Sequence, residues 1–214
     1  MKTLEWQQFF AEQRELHGKV IFSAPELANA AQTTLHAVNT ELGRLVRRGL
    51  IARYAHGYYG LARGVTPENL LAALDPGAYI TGFYALFRHH LVTQVPAEVT
   101  CFTNRRHNRR TERLTPAGKL RFICVPDVIY ARFGERAVAP AEQALCDFAW
   151  LSLREGIEPL SLVTFRNLAT LSRNRLNKAL RRYPENVRST VDRIMEYHAG
   201  VLRELFPGAP ETGE

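Results

Sequence analysis

The segment Gln32–Arg48 (QTTLHAVNTELGRLVRR) decides how the first part of this 214-residue chain folds. Its apolar residues recur at spacings of three and four, which places them on one stripe of an α-helix. These residues are Leu35, Val38, Leu42, Leu45 and Val46. Thr33 precedes the stripe and can act as an N-cap, because its hydroxyl can accept from a backbone N–H of the first turn. Gly49 follows as a left-handed terminator, so the segment predicts an amphipathic helix.

The other faces of this helix carry hydrogen-bond donors and cations, which are the groups that contact DNA. We expect one set to approach bases: Gln32, Thr33, Thr34, His36, Asn39, Thr40 and Arg44. We expect a second set to contact phosphates: Arg47, Arg48, Arg53, His56 and Arg63. The alternative interpretation is a solvated basic face on a helix that serves only the core.

The flanking segments predict the remaining elements of a small domain. They are helix Leu4–Leu16, strand Val20–Ser23, helix Ala24–Ala31 and the hairpin strands Leu50–Tyr54 and Tyr58–Ala62. A His56-Gly57 turn joins the last two strands. This order is that of a winged helix-turn-helix, whose second helix enters the major groove while the wing touches the backbone. Two helices and a hairpin also occur in protein-interaction modules, so the winged domain could instead be purely structural.

Composition and charge limit the classes of protein. With 46% hydrophobic and 23% charged residues, the chain is an ordinary globular protein. The net charge of +7 favours a polyanionic partner without identifying it. The three cysteines, Cys101, Cys124 and Cys146, form no CxxC pair, so neither a disulfide framework nor a zinc site is expected. The first residues do not resemble a signal peptide, and no apolar stretch is long enough for a transmembrane helix. We therefore expect a cytoplasmic protein.

We predict an α+β fold with residues 1–66 as the winged helix-turn-helix domain, 67–77 as linker, 78–206 as a mixed α/β second domain and 207–214 as a flexible end. A short helix that opens at Thr66-Pro67-Glu68 and runs through Leu74 is predicted at the linker. A turn at Asp75-Pro76-Gly77 follows it. The second domain is predicted to contain helix Tyr79–His90, strand Val99–Thr103, a hairpin partner at Lys119–Val125 and helix Ala139–Leu153. An arginine-rich helical tail follows, over Leu160–Leu171, Arg173–Tyr183 and Glu185–Leu205.

A second group of basic residues lies in the loop of the predicted hairpin, where only Glu112 opposes it. Its members are Arg105, Arg106, Arg109, Arg110, Arg113, Lys119 and Arg121. Arginine clusters in loops often meet phosphate or acidic surfaces, but a solvated loop is equally consistent with the pattern. One alternative function is therefore an RNA- or protein-binding module that uses this loop (residues 105–121) and the helical tail, with the winged domain as scaffold.

Catalytic patterns are lacking from the sequence. His89 and His90 are adjacent on a predicted helix and point to different faces, so they cannot chelate one metal as an i, i+4 pair does. Asp127, Glu142 and Asp147 are better explained as caps or as charge partners of arginines than as catalytic acids. We expect no enzyme activity, no catalytic residue, no metal and no cofactor; a nuclease-like domain between Val99 and Asp147 is the weaker alternative.

Three segments of the second domain are similar to the AbiEi-type antitoxins. Tyr79–Pro96 (YITGFYALFRHHLVTQVP) resembles that family's YIS..SAL..HGLI.Q.P segment, and Thr115–Phe122 (TPAGKLRF) resembles its T..G.fRF strand. Ala139–Asp147 (APAEQALCD) resembles its A.PEKALLD helix, with Gln143 in place of lysine. The family also has an N-terminal winged helix.

The resemblance implies a DNA-binding transcriptional regulator of a toxin–antitoxin (abortive infection) system. Such a repressor binds inverted repeats in its own promoter and counteracts a nucleotidyltransferase toxin without forming a tight complex. It implies double-stranded DNA and that toxin as partners, no membrane, and a monomer or weak dimer on DNA. Some relatives regulate transcription with no toxin beside them, so this alternative stays open.

Overall fold

The computed structural model describes residues 1–107, 111–134 and 136–205. These residues form helices and two β-sheets, so the predicted mixed α+β class is confirmed. The predicted flexible end (207–214) lies outside the described residues, as do Arg109 and Arg110 of the basic loop. The predicted division at residues 67–77 stays a prediction.

The first 66 residues form three helices and a small antiparallel sheet. The elements are α1 (Thr3–His17), β1 (Ile21–Ser23), α2 (Ala24–Ala30), α3 (Leu35–Arg47), β2 (Ile51–Ala55) and β3 (Tyr58–Leu61). The sheet order is β1-β3-β2, with Phe22 opposite Tyr59. Aromatic residues of α1 pack with Phe22 and with the inner face of α3. Every element predicted for this part of the chain is present, with ends that differ by a few residues.

The start of α3 differs from the prediction. Thr34, not Thr33, is the N-cap, and its hydroxyl accepts from the Ala37 N–H at 3.2 Å. Gln32 and Thr33 belong to the preceding turn, because their N–H groups donate to the carbonyls of the last residues of α2. Leu35 is consequently the first residue of the helix and is 48% exposed. Its predicted place in the buried stripe was therefore wrong.

The remaining described residues form helices around a second sheet. The elements are α4 (Pro67–Leu74), β4 (Tyr79–Thr81), α5 (Gly82–Arg88), β5 (Val99–Thr103), β6 (Glu112–Thr115), β7 (Gly118–Cys124), α6 (Ala141–Glu155), α7 (Pro159–Leu162), a 3-10 turn (Leu168–Thr170), α8 (Arg173–Leu180) and α9 (Glu185–Leu205). The sheet order is β4-β5-β7-β6.

Three predictions for this part of the chain were wrong in detail. The strands β5 and β7 run parallel, so they do not form the predicted hairpin; β7 instead pairs antiparallel with β6. Strand alternation predicts which face is buried but not the direction of the partner, and β6 was not recognised. The predicted helix at Tyr79 begins as strand β4, which pairs with β5. The predicted helix Leu160–Leu171 is interrupted, because residues 163–167 separate the end of α7 from the 3-10 turn.

The strands β4 and β5 of the second sheet are buried on both faces. Tyr79 and Phe102 point towards α6 and α9, whereas Ile80, Cys101 and Leu120 point towards the first half of the chain. This alternation follows from the period of two along a strand. The sheet is therefore a middle layer between the carboxyl-terminal helices and the amino-terminal part.

Two buried acids of α6 hold the helices around it. The Glu142 carboxylate accepts from the Arg175 guanidinium at 2.9 Å and from the Ser172 N–H at 3.0 Å. Burial alone would raise the pKa of Glu142, but these bonds lower it. Glu142 thus caps the start of α8 and pairs with an arginine, as the sequence suggested.

Asp147 is fully buried and has no cationic partner among the described residues. Its carboxylate accepts from the Thr81 hydroxyl at 2.6 Å, from the Gln143 amide at 3.0 Å and from the Tyr183 hydroxyl. Burial raises the pKa of Asp147 to about 6, although these hydrogen bonds lower it. The network connects α6 to β4 and to the turn between α8 and α9.

Helix α4 joins the two halves through a shared apolar cluster. Leu70 is 0% exposed and Leu71 is 1% exposed. The two leucines lie in one cluster with Ile21 and Tyr54 of the first sheet and Ile80 of the second. The halves therefore share part of their core.

This shared core predicts one cooperative unfolding transition. The chain contains two tryptophans, Trp6 in the first half and Trp150 in the second, so single-tryptophan variants report on each half separately. We expect both probes to give the same midpoint in urea. Leu70→Ala should lower the free energy of unfolding that each probe reports by about 2–5 kcal/mol. Leu114→Ala is the control, since Leu114 is 88% exposed. Two separate midpoints, with only one affected by Leu70→Ala, would contradict the shared core.

The raised pKa of Asp147 predicts a specific pH dependence of stability. In the unfolded chain the pKa of an aspartate is about 3.9, so between about pH 4 and 6 the folded state retains the proton longer. The free energy of unfolding should therefore fall as the pH rises through this window, by about 3 kcal/mol from this group. Asp147→Asn removes that contribution.

The measurement is urea denaturation of the native chain and of Asp147→Asn at about pH 4.5 and about pH 7.5. The stability of the variant relative to the native chain should rise with pH. Asp127→Asn is the control, because Asp127 is exposed and makes no ion pair in the described part of the chain. If the free energy of unfolding of Asp147→Asn differs from that of the native chain by the same amount at both pH values, Asp147 does not titrate in this range.

Candidate nucleic-acid interface

The outward face of α3 presents polar and cationic side chains in a row. Since each residue turns an α-helix by about 100°, His36, Thr40 and Arg47 lie opposite the buried Val38 and Leu45. All three outward residues are exposed, and so is Arg44 beside them. The helix packs through its other side on α2 and β2. The structure therefore places four of the predicted residues on one open surface.

The other predicted base-contacting residues surround this row. Gln32, Thr33 and Thr34 are exposed in the turn before the helix, and Gln32 has a left-handed backbone with φ of 50°. Thr34 uses its hydroxyl as the cap of α3, so that oxygen is already engaged as an acceptor. Asn39 is exposed but lies on the flank of the helix next to Leu35. The turn residues and Asn39 thus border the row rather than lying within it.

The cations of α3 differ in their partners. Arg44 lies 3.4 Å from the Glu41 carboxylate, and both side chains are accessible enough for solvent to weaken the pair. Arg48, at the end of the helix, donates to the Thr3 hydroxyl at 3.1 Å and so links α3 to α1. Arg47 has no ion-pair partner among the described residues. Arg47 is therefore the cation of this helix with the most freedom to meet a phosphate.

The hairpin carries a further pair of basic residues at its turn. The Arg53 guanidinium lies 2.9 Å from Nδ1 of His56, and both residues are exposed. The carbonyl of Gly57, in the same turn, accepts from the Ala24 N–H at 2.8 Å, which fixes the turn to the start of α2. Arg63 is exposed just beyond β3. These residues extend the basic surface, although Arg53 and His56 would have to share one anion or separate to bind two.

Gly43 was not singled out in the sequence, yet it lies in the middle of α3 beside the outward row. A Cβ atom at this position would meet nothing within 4 Å. Glycine destabilises a helix interior relative to alanine, and packing within the chain does not require it here. A glycine on an exposed helical face lets another molecule approach the backbone closely. Its position in the sequence, between the outward residues Thr40 and Arg47, could have identified Gly43 as part of this surface.

Two members of the second basic group form ion pairs with acids. Lys119 pairs with Glu98 and Glu112 at 3.2 and 3.1 Å, and the pKa of Lys119 is raised by these contacts. Arg121 pairs with Glu98 and with Glu155 at 2.5 Å. The expectation that only Glu112 opposes this group was therefore wrong, because Glu98 and Glu155 are distant in sequence and reach it only in the folded chain.

The other described members of this group differ in exposure. Arg113 is half-buried; its guanidinium lies over the Phe122 ring and 3.5 Å from Nδ1 of His107. Arg105 and Arg106 are exposed. The five described members of the group thus do not form one continuous unpaired patch.

The chain matches no protein-family model, and no curated protein is significantly similar to it in sequence. Among the described residues, no group of three or more histidine, cysteine, aspartate or glutamate side chains is arranged to hold a metal ion. None of the helices in the described ranges combines the length and apolar character that crossing a membrane requires.

The openness at Gly43 predicts a gain in stability on substitution. Gly43→Ala should raise the free energy of unfolding by about 0.5–1 kcal/mol, since alanine favours the helix and meets no obstacle. Gly60→Ala is the contrasting variant, because its Cβ would lie 2.3 Å from the Val20 carbonyl oxygen and force the sheet to shift. Urea denaturation of both variants tests this. A loss of stability in Gly43→Ala would mean that the chain itself needs the glycine.

Proposed function

We propose that residues 1–66 form a winged helix-turn-helix that binds double-stranded DNA, and that the protein is a transcriptional regulator. The observation that carries this proposal is the open row on α3, in which His36, Thr40, Arg44 and Arg47 are exposed together opposite a fully apolar inner face. The order of elements and the antiparallel sheet β1-β3-β2 are those expected of a winged domain.

The chemistry of the row suits both parts of a DNA contact. The Thr40 hydroxyl donates to the His36 carbonyl at 3.2 Å, so its oxygen can accept from a base edge in the major groove. The His36 imidazole can also exchange hydrogen bonds there, where each base pair presents its own pattern. The guanidinium of Arg47 can neutralise a phosphate, which gives affinity without sequence preference. Arg53 and His56 at the hairpin turn are suited to the backbone beside the groove.

We further propose that the protein is an antitoxin that represses its own operon and counteracts a nucleotidyltransferase toxin, acting in the cytoplasm. This part rests on the resemblance of three segments to AbiEi-type antitoxins. Two of these segments contain residues that make central contacts: Thr81 and Asp147 hydrogen-bond to each other across β4 and α6. Co-expression with the product of a neighbouring nucleotidyltransferase gene would test it, since an antitoxin restores growth. Continued growth arrest despite soluble expression would remove the antitoxin part while leaving DNA binding intact.

The first test of DNA binding is a gel shift with the protein's own upstream region and a scrambled duplex of the same length, over a series of salt concentrations. Specific binding should persist near physiological salt for the upstream region only. Equal affinity for both duplexes, with the same steep loss in salt, would show only counterion release and would contradict sequence-specific regulation.

Variants of α3 separate base contacts from phosphate contacts. Arg47→Ala should weaken binding to every duplex alike and reduce the salt dependence by about one counterion. His36→Ala should change the discrimination between duplexes, by about 1–3 kcal/mol at the affected base pair. Gly43→Ala should weaken DNA binding even though it stabilises the fold, because its methyl group lies where the DNA approaches.

The control is Arg181→Ala, since Arg181 is an exposed arginine in the second half with no ion pair among the described residues. It should leave both affinity and discrimination unchanged. If Arg181→Ala weakens binding as much as Arg47→Ala, the DNA contact is not on α3.

A further inference from the structure

A cleft of about 320 Å³ opens beside the second sheet, between residues 76–79 and the irregular segment that follows β7. Its wall contains three arginines and three aromatic residues. They are Arg105, Arg132, Arg136, Tyr79, Tyr130 and Phe133. We call this the arginine cleft. Arg132 and Arg136 lie in the segment 131–136 (ARFGER), which matches none of the sequence patterns described above.

The walls of the arginine cleft are held in place by hydrogen bonds. The Tyr130 hydroxyl donates to the Gly77 carbonyl and so connects the two walls. The Gly77 N–H donates to the Asp75 carboxylate at 3.1 Å, and the Arg182 guanidinium donates to the Tyr130 carbonyl at 3.5 Å. Ala131, between the aromatic residues, is buried. The cleft is therefore formed before any ligand arrives, which reduces the ordering cost of binding.

The positive charge of the arginine cleft is not neutralised from within the described part of the chain. Arg105, Arg132 and Arg136 are exposed, and no described acid makes an ion pair with any of them. Asp75, in the turn before β4, is 2% exposed, and its carboxylate is occupied by His107 at 2.9 Å and by the Thr103 hydroxyl at 2.8 Å. This contrasts with Lys119 and Arg121, whose charges are paired. Guanidinium groups that line one cleft suit a phosphate, which they can bind through paired hydrogen bonds.

The aromatic residues give the same cleft a flat apolar side. The rings of Tyr79 and Phe133 are perpendicular with centroids 5.0 Å apart, and the Tyr130 ring lies 5.9 Å from that of Tyr79. Tyr130 and Phe133 remain partly exposed, so their surfaces can contact a planar group. Base–aromatic stacking is a general source of nucleotide affinity that does not depend on the identity of the base.

We propose that the arginine cleft binds a nucleoside phosphate, with the phosphates on Arg105, Arg132 and Arg136 and the base against Tyr130 or Phe133. Its volume is at the lower end of the range for small-molecule pockets, which suits one nucleotide and excludes a base-paired duplex. The nucleotide is either free or the 5′-phosphorylated end of a single strand. This site is separate from α3 and does not rest on the proposed DNA binding.

The test is isothermal titration of the full chain with ATP, with inorganic triphosphate as the comparison for the phosphates alone. We expect one ATP per chain and weaker binding of inorganic triphosphate. Arg132→Ala with Arg136→Ala should weaken ATP binding about 100-fold, since each charged hydrogen bond contributes about tenfold. Phe133→Leu should weaken ATP binding but leave the affinity for inorganic triphosphate unchanged.

Two controls make the result decisive. Arg181→Ala should bind ATP as the native chain does, and the urea midpoint of the Arg132→Ala, Arg136→Ala double variant should be unchanged, because both arginines are exposed. The absence of ATP binding at millimolar concentration would overturn the proposal. So would equal losses in Arg181→Ala and the double variant, or equal affinities for ATP and inorganic triphosphate.

Competition then identifies the source of the nucleotide. Short single-stranded RNAs with a 5′-phosphate or a 5′-hydroxyl are added to the complex with ATP. Displacement by the phosphorylated strand alone would identify a chain end as the ligand, whereas displacement by neither strand would identify a free nucleotide. Loss of DNA binding in the α3 variants leaves this result unaffected, so failure of one proposal is distinguishable from failure of the other.

Discussion

Burial of Leu70 and Leu71 of α4 between the two sheets is the interaction on which the rest of the structure depends. Each sheet is too small to bury both of its faces alone, and α4 supplies apolar surface to both. The strands β4 and β5 of the second sheet are therefore buried on both sides, as expected for a middle layer. Because the halves share this core, the outward face of α3 has a fixed orientation relative to the second sheet and its helices.

Polar groups at the centre of the second half give it a specific arrangement. Asp147 is fully buried with hydroxyl and amide donors but no described cation, and Glu142 on the same helix pairs with Arg175. A buried carboxylate without a cation has a large desolvation cost, which appears as its raised pKa. Such networks fix the relative positions of β4, α6 and α8 more narrowly than apolar contacts do, because each donor has one direction.

The arginines of this chain fall into distinct classes once the fold is known. Some are partners of carboxylates, as Arg121 is of Glu98 and Glu155. Others face solvent without an ion pair in the described ranges, and these include Arg47 of α3 and the three arginines of the arginine cleft. Net charge alone does not distinguish the classes, since both contribute equally to the total of +7. The arginines without an ion pair in the described ranges can contribute most to the free energy of binding a polyanion, because no internal partner must first be displaced.

The sequence by itself determined the local elements of the first 66 residues, strand β5 and the long helices, because caps, turns and apolar periodicity act between neighbours. It also determined which residues of α3 face outward, since one helical stripe is apolar. Only the tertiary structure decided the parallel pairing of β5 with β7, the shared core around α4 and the partners of Lys119 and Arg121. It likewise decided that Arg105, Arg132 and Arg136 meet at one cleft. These features depend on contacts between residues far apart in the chain, for which no local pattern carries a signal.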